Sequence, residues 1–283
     1  MLRLTRHSTA GSFLELAESW LMRAEAENNL ILGFAGAGAQ DPSFFKSAPY
    51  LATVQANDGV VACAFRSPPH KLALTRLRDR KAVKLLASDA LSVYPDLATA
   101  FGPEPDIEAF AAAWADIAGR LTVRGMRSRI HEARAVQRIG KTPPGCLRPA
   151  TAADLDTLVP WVSAFFDEIG EIEREEPAKL AKARVQSGSL FVWDDRGPVS
   201  MAGWSGKTEN GVRVNLVYTP ADKRSRGYAW ACVSALTERL LAEGNKFCCL
   251  YTNLANPISN RIYERIGYRP ICDVSDFNVQ RGP

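Results

Sequence analysis

"VRVNLVYTPADKRSRGYAWACV", residues 212–233, changes character halfway along. Val212 to Tyr218 is β-branched and apolar between Gly211 and Pro220, which reads as a buried strand. From Tyr228 onward, Cys232, Val233, Leu236, Leu240 and Leu241 recur at helical spacing, and Gly244 is placed to close the helix. Between them lies "RSRGYA", residues 224–229. A loop feeding a helix N-terminus exposes N–H groups with no intrahelical acceptor; with the positive end of the helix dipole they form an anion pocket. Gly227 admits a ligand close to the backbone, and Arg224 and Arg226 add charge. Alone, the hexapeptide reads equally as a solvated basic turn, so the rest of the chain must decide.

A second motif follows one strand later, "TNLANPISNRIYERIGYRP". Asn256 suits an N-cap and Pro257 the first helical position, where its missing N–H costs nothing. Ile258, Ile262 and Ile266 form an apolar stripe expected to be buried, while Ser259, Asn260 and Tyr263 set polar groups around a phenol. Gly267 ends the helix.

At 283 residues, with 46% apolar and 23% charged side chains, the chain has a globular make-up and room for two domains. A net charge of +4 does not suggest nucleic acid as the main partner. No apolar run reaches membrane-spanning length and no signal-peptide core is visible, so a cytoplasmic protein without membrane contact is expected. Six cysteines, including the adjacent Cys248 and Cys249, suit reduced core thiols. His7, His70 and His131 are scattered and no Cys-x-x-Cys occurs, so no metal is expected.

"GKTPPG" breaks both helix and strand and predicts a linker at 138–146, hence domains at 1–140 and 141–283. After it the pattern predicts a strand, a helix capped by Thr151, and an acidic helical stretch to about 186. Strands at 189–194, 198–205 and 212–218, a helix at 228–242, a strand, a helix at 257–266 and a last strand complete it. The first half repeats part of this order: "YLATVQANDGVVACAFRSP" and "LFVWDDRGPVSMAGWSG" are both strand, tight turn, strand. Its counterpart of the basic loop, "TRLRDRKAV" at 75–83, has no glycine, and nothing there matches Tyr263. "GFAGAGAQD" at 33–41 imitates a dinucleotide loop but carries Asp41 where the third glycine is needed.

A strand ending in "VYTP", Arg224-x-x-Gly227-x-Ala229 opening a helix, and N-P-x-S-N-x-x-Y-x-x-x-G-Y over 256–268 together resemble the GNAT superfamily of acyl-CoA-dependent N-acetyltransferases. The resemblance runs from Leu147 to Val279, and the whole chain resembles a bacterial two-domain group in which a degenerate half precedes an intact one. It implies an α/β (α+β) GNAT fold, a mixed, mostly antiparallel sheet flanked by helices, in two tandem GNAT-like domains. It also implies acetyl-CoA as cosubstrate and an amine acceptor. The CoA pyrophosphate then falls on Arg224, Ser225, Arg226, Gly227, Tyr228 and Ala229, and the thioester lies along Leu216, Val217, Tyr218 and Thr219. Asn253, Asn256 and Ser259 take the pantetheine side, and Tyr263 matches the tyrosine that protonates the departing thiolate. A base is sought in "FFDEIGEIEREEP", with Glu173 and Glu175 as candidates, although the stretch reads first as an acidic solvated helix face. Strand 212–218 has no acidic residue where many members of the superfamily keep their base. The first half is expected to have lost cofactor binding, with packing, closure of the acceptor site and homodimerisation open as roles. Two functions compete: an N-acetyltransferase acting by direct transfer, and a non-catalytic CoA-binding regulatory module.

Overall fold

The computed structural model describes residues 1–137, 142–170 and 175–280. Its first run of elements is β1 (Arg3–Arg6), α1 (Ala10–Leu21), α2 (Asn29–Gln40), β2 (Tyr50–Ala56), β3 (Gly59–Arg66), β4 (Leu72–Leu74), α3 (Ala82–Val93), β5 (Thr99–Pro103), α4 (Asp106–Ala118) and β6 (Thr122–Ala133). The second is β7 (Cys146–Pro149), α5 (Leu155–Glu168), α6 (Pro177–Gln186), β8 (Leu190–Asp194), β9 (Pro198–Ser205), β10 (Gly211–Tyr218), α7 (Tyr228–Ala242), β11 (Phe247–Asn253), α8 (Pro257–Ile266) and β12 (Arg269–Val279). The two runs have the same order, element for element, extending the repeat read from the paired hairpins.

Two compact units result, but not by a cut at 140/141. One is Met1–Ile130 with the segment from Cys272 onward; the other is His131–Ile271. The cause is β12, which pairs antiparallel with β5 from Val274↔Pro103 to Asn278↔Thr99 and so returns the last strand to the first unit. Residues 138–141 of the expected linker lie outside the described residues.

Within the first unit, β1-β2-β3-β4-β5-β12 are neighbours, antiparallel except for β4 and β5. Within the second, β7-β8-β9-β10-β11 repeat that scheme, with β10 and β11 the parallel pair. A parallel pair needs a crossover, and α3 and α7 supply it. Period-two alternation covers both sheet faces. In the second unit Val212, Val214, Ala202 and Phe191 pack in the core with α7 residues such as Cys232 and Leu236. Leu216, Met201, Val192 and Leu190 pack instead with Val162 and Leu158 of α5 and Ala181 of α6.

One further sequence expectation needs revision. The acidic stretch is not one continued helix: α5 ends at Glu168, Gly170 takes a left-handed φ of +64°, and α6 restarts with Pro177 in its first turn. The glycine run at 33–41 lies largely within α2, and a Cβ on Gly38 would come within 2.0 Å of the Phe45 ring. That glycine serves packing.

Candidate functional site

The second unit opens where β10 leaves its parallel neighbour. Pairing with β11 runs Gly211↔Phe247, Val212↔Cys248 and Arg213↔Cys249 and stops, although β10 continues to Tyr218 and β11 to Asn253. On the other side, Asn215 pairs with Gly203 and Tyr218 with Met201, three steps against two, which is a β-bulge. Leu216 carries it, in the left-handed region at φ 49°. A non-glycine residue there costs about 1–2 kcal/mol. Burial of its side chain in the α5/α6 core, worth about 1.5–3 kcal/mol, offsets this. The bulge leaves peptide groups without ladder partners beside the opening. Beyond it the strand end is fixed: Ser200 Oγ donates to the Tyr218 carbonyl at 3.1 Å and lies 2.8 Å from Thr219 Oγ1. The Tyr218 ring stacks at a tilt on Trp161, with centroids 6.0 Å apart. Val217 packs against the α7 core.

The basic loop leads into α7 as the sequence anticipates. Ser225 and Gly227 are both left-handed, at φ 62° and 84°, and residues 224–227 are exposed. No side chain caps α7, and its first bond back to the loop is Ala231 N–H to the Gly227 carbonyl at 3.0 Å. The N–H groups of Tyr228, Ala229 and Trp230 therefore precede the helical ladder and face the loop, the arrangement that binds anions. The side chains divide the work differently from the sequence expectation. Arg224 is turned inward: Nε donates to the Thr219 carbonyl at 2.8 Å, Nη2 pairs with Glu168, and the guanidinium lies 5.7 Å from the Tyr218 ring centroid. The Tyr228 hydroxyl donates to Asp195 Oδ2 at 2.6 Å and also interacts with Arg226 of the loop. Arg226, exposed like Arg224, is the second cation of the loop.

In α8, Asn256 is the cap, accepting from Ser259 N–H at 3.0 Å, and Asn253 Oδ1 accepts from Ala255 N–H at 2.8 Å. Both oxygens expected on the pantetheine side thus also hold the turn. Asn260 bridges the carbonyls of Asn253 at 3.0 Å and Asn256 at 2.8 Å. The expected isoleucine stripe is rotated: Ile258 is 71% exposed, whereas Tyr263 (8%) and Ile266 (0%) are buried. The Tyr263 ring meets Tyr268 edge-on at 6.0 Å, and its hydroxyl has no hydrogen-bond partner among the described residues. Burial, with Cys232 adding to it, raises the phenol above its ordinary range, so Tyr263 is protonated at neutral pH and suited to donate.

Glu173 lies outside the described residues. Glu175 is described, partly buried, and close enough to Arg184 of α6 to act on it electrostatically. Sequence reasoning missed the polar side chains near Arg184: Arg213, which acts on it electrostatically, and Asn215 and Ser205, which are hydrogen-bonded on the neighbouring strands. Arg184 Nη1 donates to the Trp204 carbonyl at 2.7 Å, and Ser205 accepts from Asn215 Nδ2 at 2.6 Å and Arg213 Nη2 at 3.3 Å. The available signal was Arg213 and Asn215 alternating with valines on a strand otherwise apolar to Val217. Among the described residues no three His, Cys, Asp or Glu side chains gather as a metal site, and no helix is long and apolar enough to cross a membrane.

A family model described as FR47-like protein matches residues 193–276, the end of β8 through most of β12. The chain is similar to a GNAT-family acetyltransferase from Colwellia psychrerythraea, at 13% identity over 98% of this chain and 100% of that one, with a TM-score of 0.60. It is similar to a GCN5-related N-acetyltransferase from Sphaerobacter thermophilus, at 15% identity over 99% and 96%, TM-score 0.64. A tandem GNAT protein from the clavulanic acid biosynthesis pathway matches at 14% identity over 100% and 99%, TM-score 0.58. No curated protein matches the chain. These likenesses are ones of fold: the chain has the GNAT fold, and its doubled element order matches that of the tandem GNAT protein.

Proposed function

We propose that the chain is an N-acetyltransferase that moves the acetyl group of acetyl-CoA directly to a primary amine. The second unit is the catalytic half and the first a degenerate GNAT-like half without cofactor. One observation carries the reading: the parting of β10 from β11, the bulge at Leu216 and the uncapped start of α7 occur together in the second unit. They suit a thioester arm lying between strands with its pyrophosphate on the helix N-terminus.

The pyrophosphate is held by the N–H groups from Ser225 to Ala229, with Arg226 adding charge, while Arg224 braces the loop against Glu168. Peptide groups at Leu216 and Val217 hold the pantetheine arm and the thioester carbonyl. Asn253, Asn256 and Ser259 shape the pantetheine side. The amine nitrogen attacks the thioester carbon; the C–N bond forms, the C–S bond breaks, and the thiolate takes the Tyr263 proton. The ammonium proton passes to Glu175, directly or through water. Phenol and thiolate share one desolvated setting that raises both pKa values, which keeps the transfer between them matched.

The test is thiol release from acetyl-CoA by purified protein across a panel of primary amines. Amine-dependent release is expected. Tight acetyl-CoA binding with no amine-dependent release would replace this reading by the regulatory CoA-binding module.

A further inference from the structure

The side chain of Arg224 turns away from the anion-binding loop and joins it to two other elements. Nε donates to the Thr219 carbonyl, just past β10, at 2.8 Å, and Nη2 pairs with Glu168, the last residue of α5. The guanidinium lies 5.7 Å from the centroid of the Tyr218 ring, which is tilted in turn against Trp161 of α5. The bulge residue Leu216 packs with Leu158 and Val162 of the same helix. Thus α5 walls the bulge on the sheet face opposite α7. As a structural support the ion pair is weak: its side chains are 46% and 51% exposed, and such pairs add little stability. Its place says more. Glu168 stands at the negative end of the α5 dipole, where a carboxylate is unfavourable until a cation faces it, so a well-placed Arg224 steadies that last turn. Arg224 itself belongs to an exposed loop that runs through left-handed Ser225 and Gly227. A pyrophosphate on the N–H groups of that loop would restrict its backbone, and ordering the contacts attached to it would then cost less entropy.

We propose that Arg224 is a positioning residue that carries occupancy of the cofactor loop to the end of α5, so that the wall beside the bulge is completed once acetyl-CoA is in place. The inference rests on the acetyl-transfer reading. Arginine suits the task because its planar fork serves the Thr219 carbonyl through one nitrogen and the Glu168 carboxylate through another in one fixed geometry. With Nε committed to the carbonyl, Nη2 stays aimed at α5. Linkage makes the effect reciprocal: whatever factor CoA adds to the order of α5, an ordered α5 adds to the affinity for CoA.

The test is amide hydrogen exchange, read by mass spectrometry on the full-length protein with and without saturating CoA, with binding measured calorimetrically in parallel. In the wild type, CoA is expected to slow exchange in the last turns of α5 by about five-fold or more, the low end of ordinary coupling between sites. Glu168→Gln should still bind CoA and lose that slowing. Arg224→Lys, at CoA concentrations that saturate it, should lose it too, although the charge is kept. If one variant does not fold, the other decides. Slowing that survives in a CoA-bound variant, or an α5 that exchanges alike in free and CoA-bound wild type, would overturn the inference and leave the cofactor reading intact. A variant that shifts α5 exchange equally with and without CoA, keeping the CoA-dependent slowing, would make the pair a structural contact only, which also overturns it. So would faster exchange on binding, because the pyrophosphate would then be drawing Arg224 away from Glu168. A folded wild type that binds no CoA would overturn the cofactor reading itself, and this coupling with it.

Discussion

The segment from β4 to α3 in the first unit and the segment from β10 to α7 in the second hold the same place in the repeat, yet their backbones are used in opposite ways. After β4 the chain stays tied to its neighbour: Thr75 N–H donates to the Cys63 carbonyl at 3.1 Å and Arg78 N–H to the Val61 carbonyl at 2.9 Å. Asp79 then takes the donors at the start of α3, Lys81 N–H on its carboxylate at 2.9 Å and Ala82 N–H on its carbonyl at 3.0 Å. Among the described residues between Gly59 and Gly119, none is left-handed. After β10 the chain bulges, leaves its neighbour, and enters α7 through two left-handed residues with no side-chain cap. Topology is therefore not what reserves an anion site. What matters is whether the protein consumes the helix's first N–H groups itself, and a carboxylate at that positive helix end also repels a phosphate.

The sharpest way to break the comparison is Tyr263→Phe, which keeps the buried ring and removes the proton. We expect kcat to fall by roughly 10²–10⁴-fold, the usual scale of general acid catalysis. KM for acetyl-CoA and the melting temperature should change little, which steady-state kinetics with a melting curve will check. Unchanged kcat in the folded variant would leave Tyr263 as a packing residue.

Gly227→Val tests the loop. Its new Cβ would approach nothing nearer than Pro143 Cγ at 3.8 Å, so the penalty comes from φ 84°, which a β-branched residue does not hold. Forcing the loop out of that shape should raise the Kd for acetyl-CoA by roughly ten-fold or more, equivalent to about 1.4 kcal/mol. The matching change in the first unit, Asp79→Ala, should leave calorimetric affinity and a stoichiometry of one unchanged. Two acetyl-CoA molecules per chain would collapse the comparison.

The smallest effect distinguishes the two helix starts that open the repeats. Thr9 caps α1 by accepting from Ser12 N–H at 3.1 Å, with no charge involved. Thr151 shares its box with Asp154, whose carboxylate is gripped by Arg148 at 2.8 Å on both oxygens. Those hydrogen bonds hold Asp154 at about 2, below its unfolded value of about 3.9. The native state thus binds fewer protons than the unfolded one in that range. The stabilisation is fully present above about pH 4 and is lost as pH falls towards about 2. Melting curves of wild type and Asp154→Asn should differ at pH 6 and converge over that window. A constant gap would show that the charge is not what matters.

Much of this was legible in the sequence, for physical reasons. The strand 212–218, the helix 228–242 and Gly227 at its start follow from β-branching, periodicity and the steric freedom of glycine. The hairpins announced the repeat. Hidden were features that depend on partners far along the chain. Nothing local to "RSRG" says that Arg224 turns to Glu168 and Thr219. The bulge at Leu216 appears only when β10 is set against β9, and Asn215 becomes an orphaned acceptor only once buried. The face of α8 was misjudged because an isoleucine stripe outweighed one tyrosine in the pattern, whereas Tyr263 and Tyr268 decide its rotation by packing together.

The pairing of β12 with β5 bears on how the chain is made. A ribosome releases Thr99–Pro103 long before Val274–Asn278, so the first unit waits for its closing strand while the whole intervening unit is synthesised. Until then one side of β5 is an open template, the kind of edge that invites mispairing in a nascent chain. Shortening the chain by its final dozen residues would therefore injure the half that was translated first.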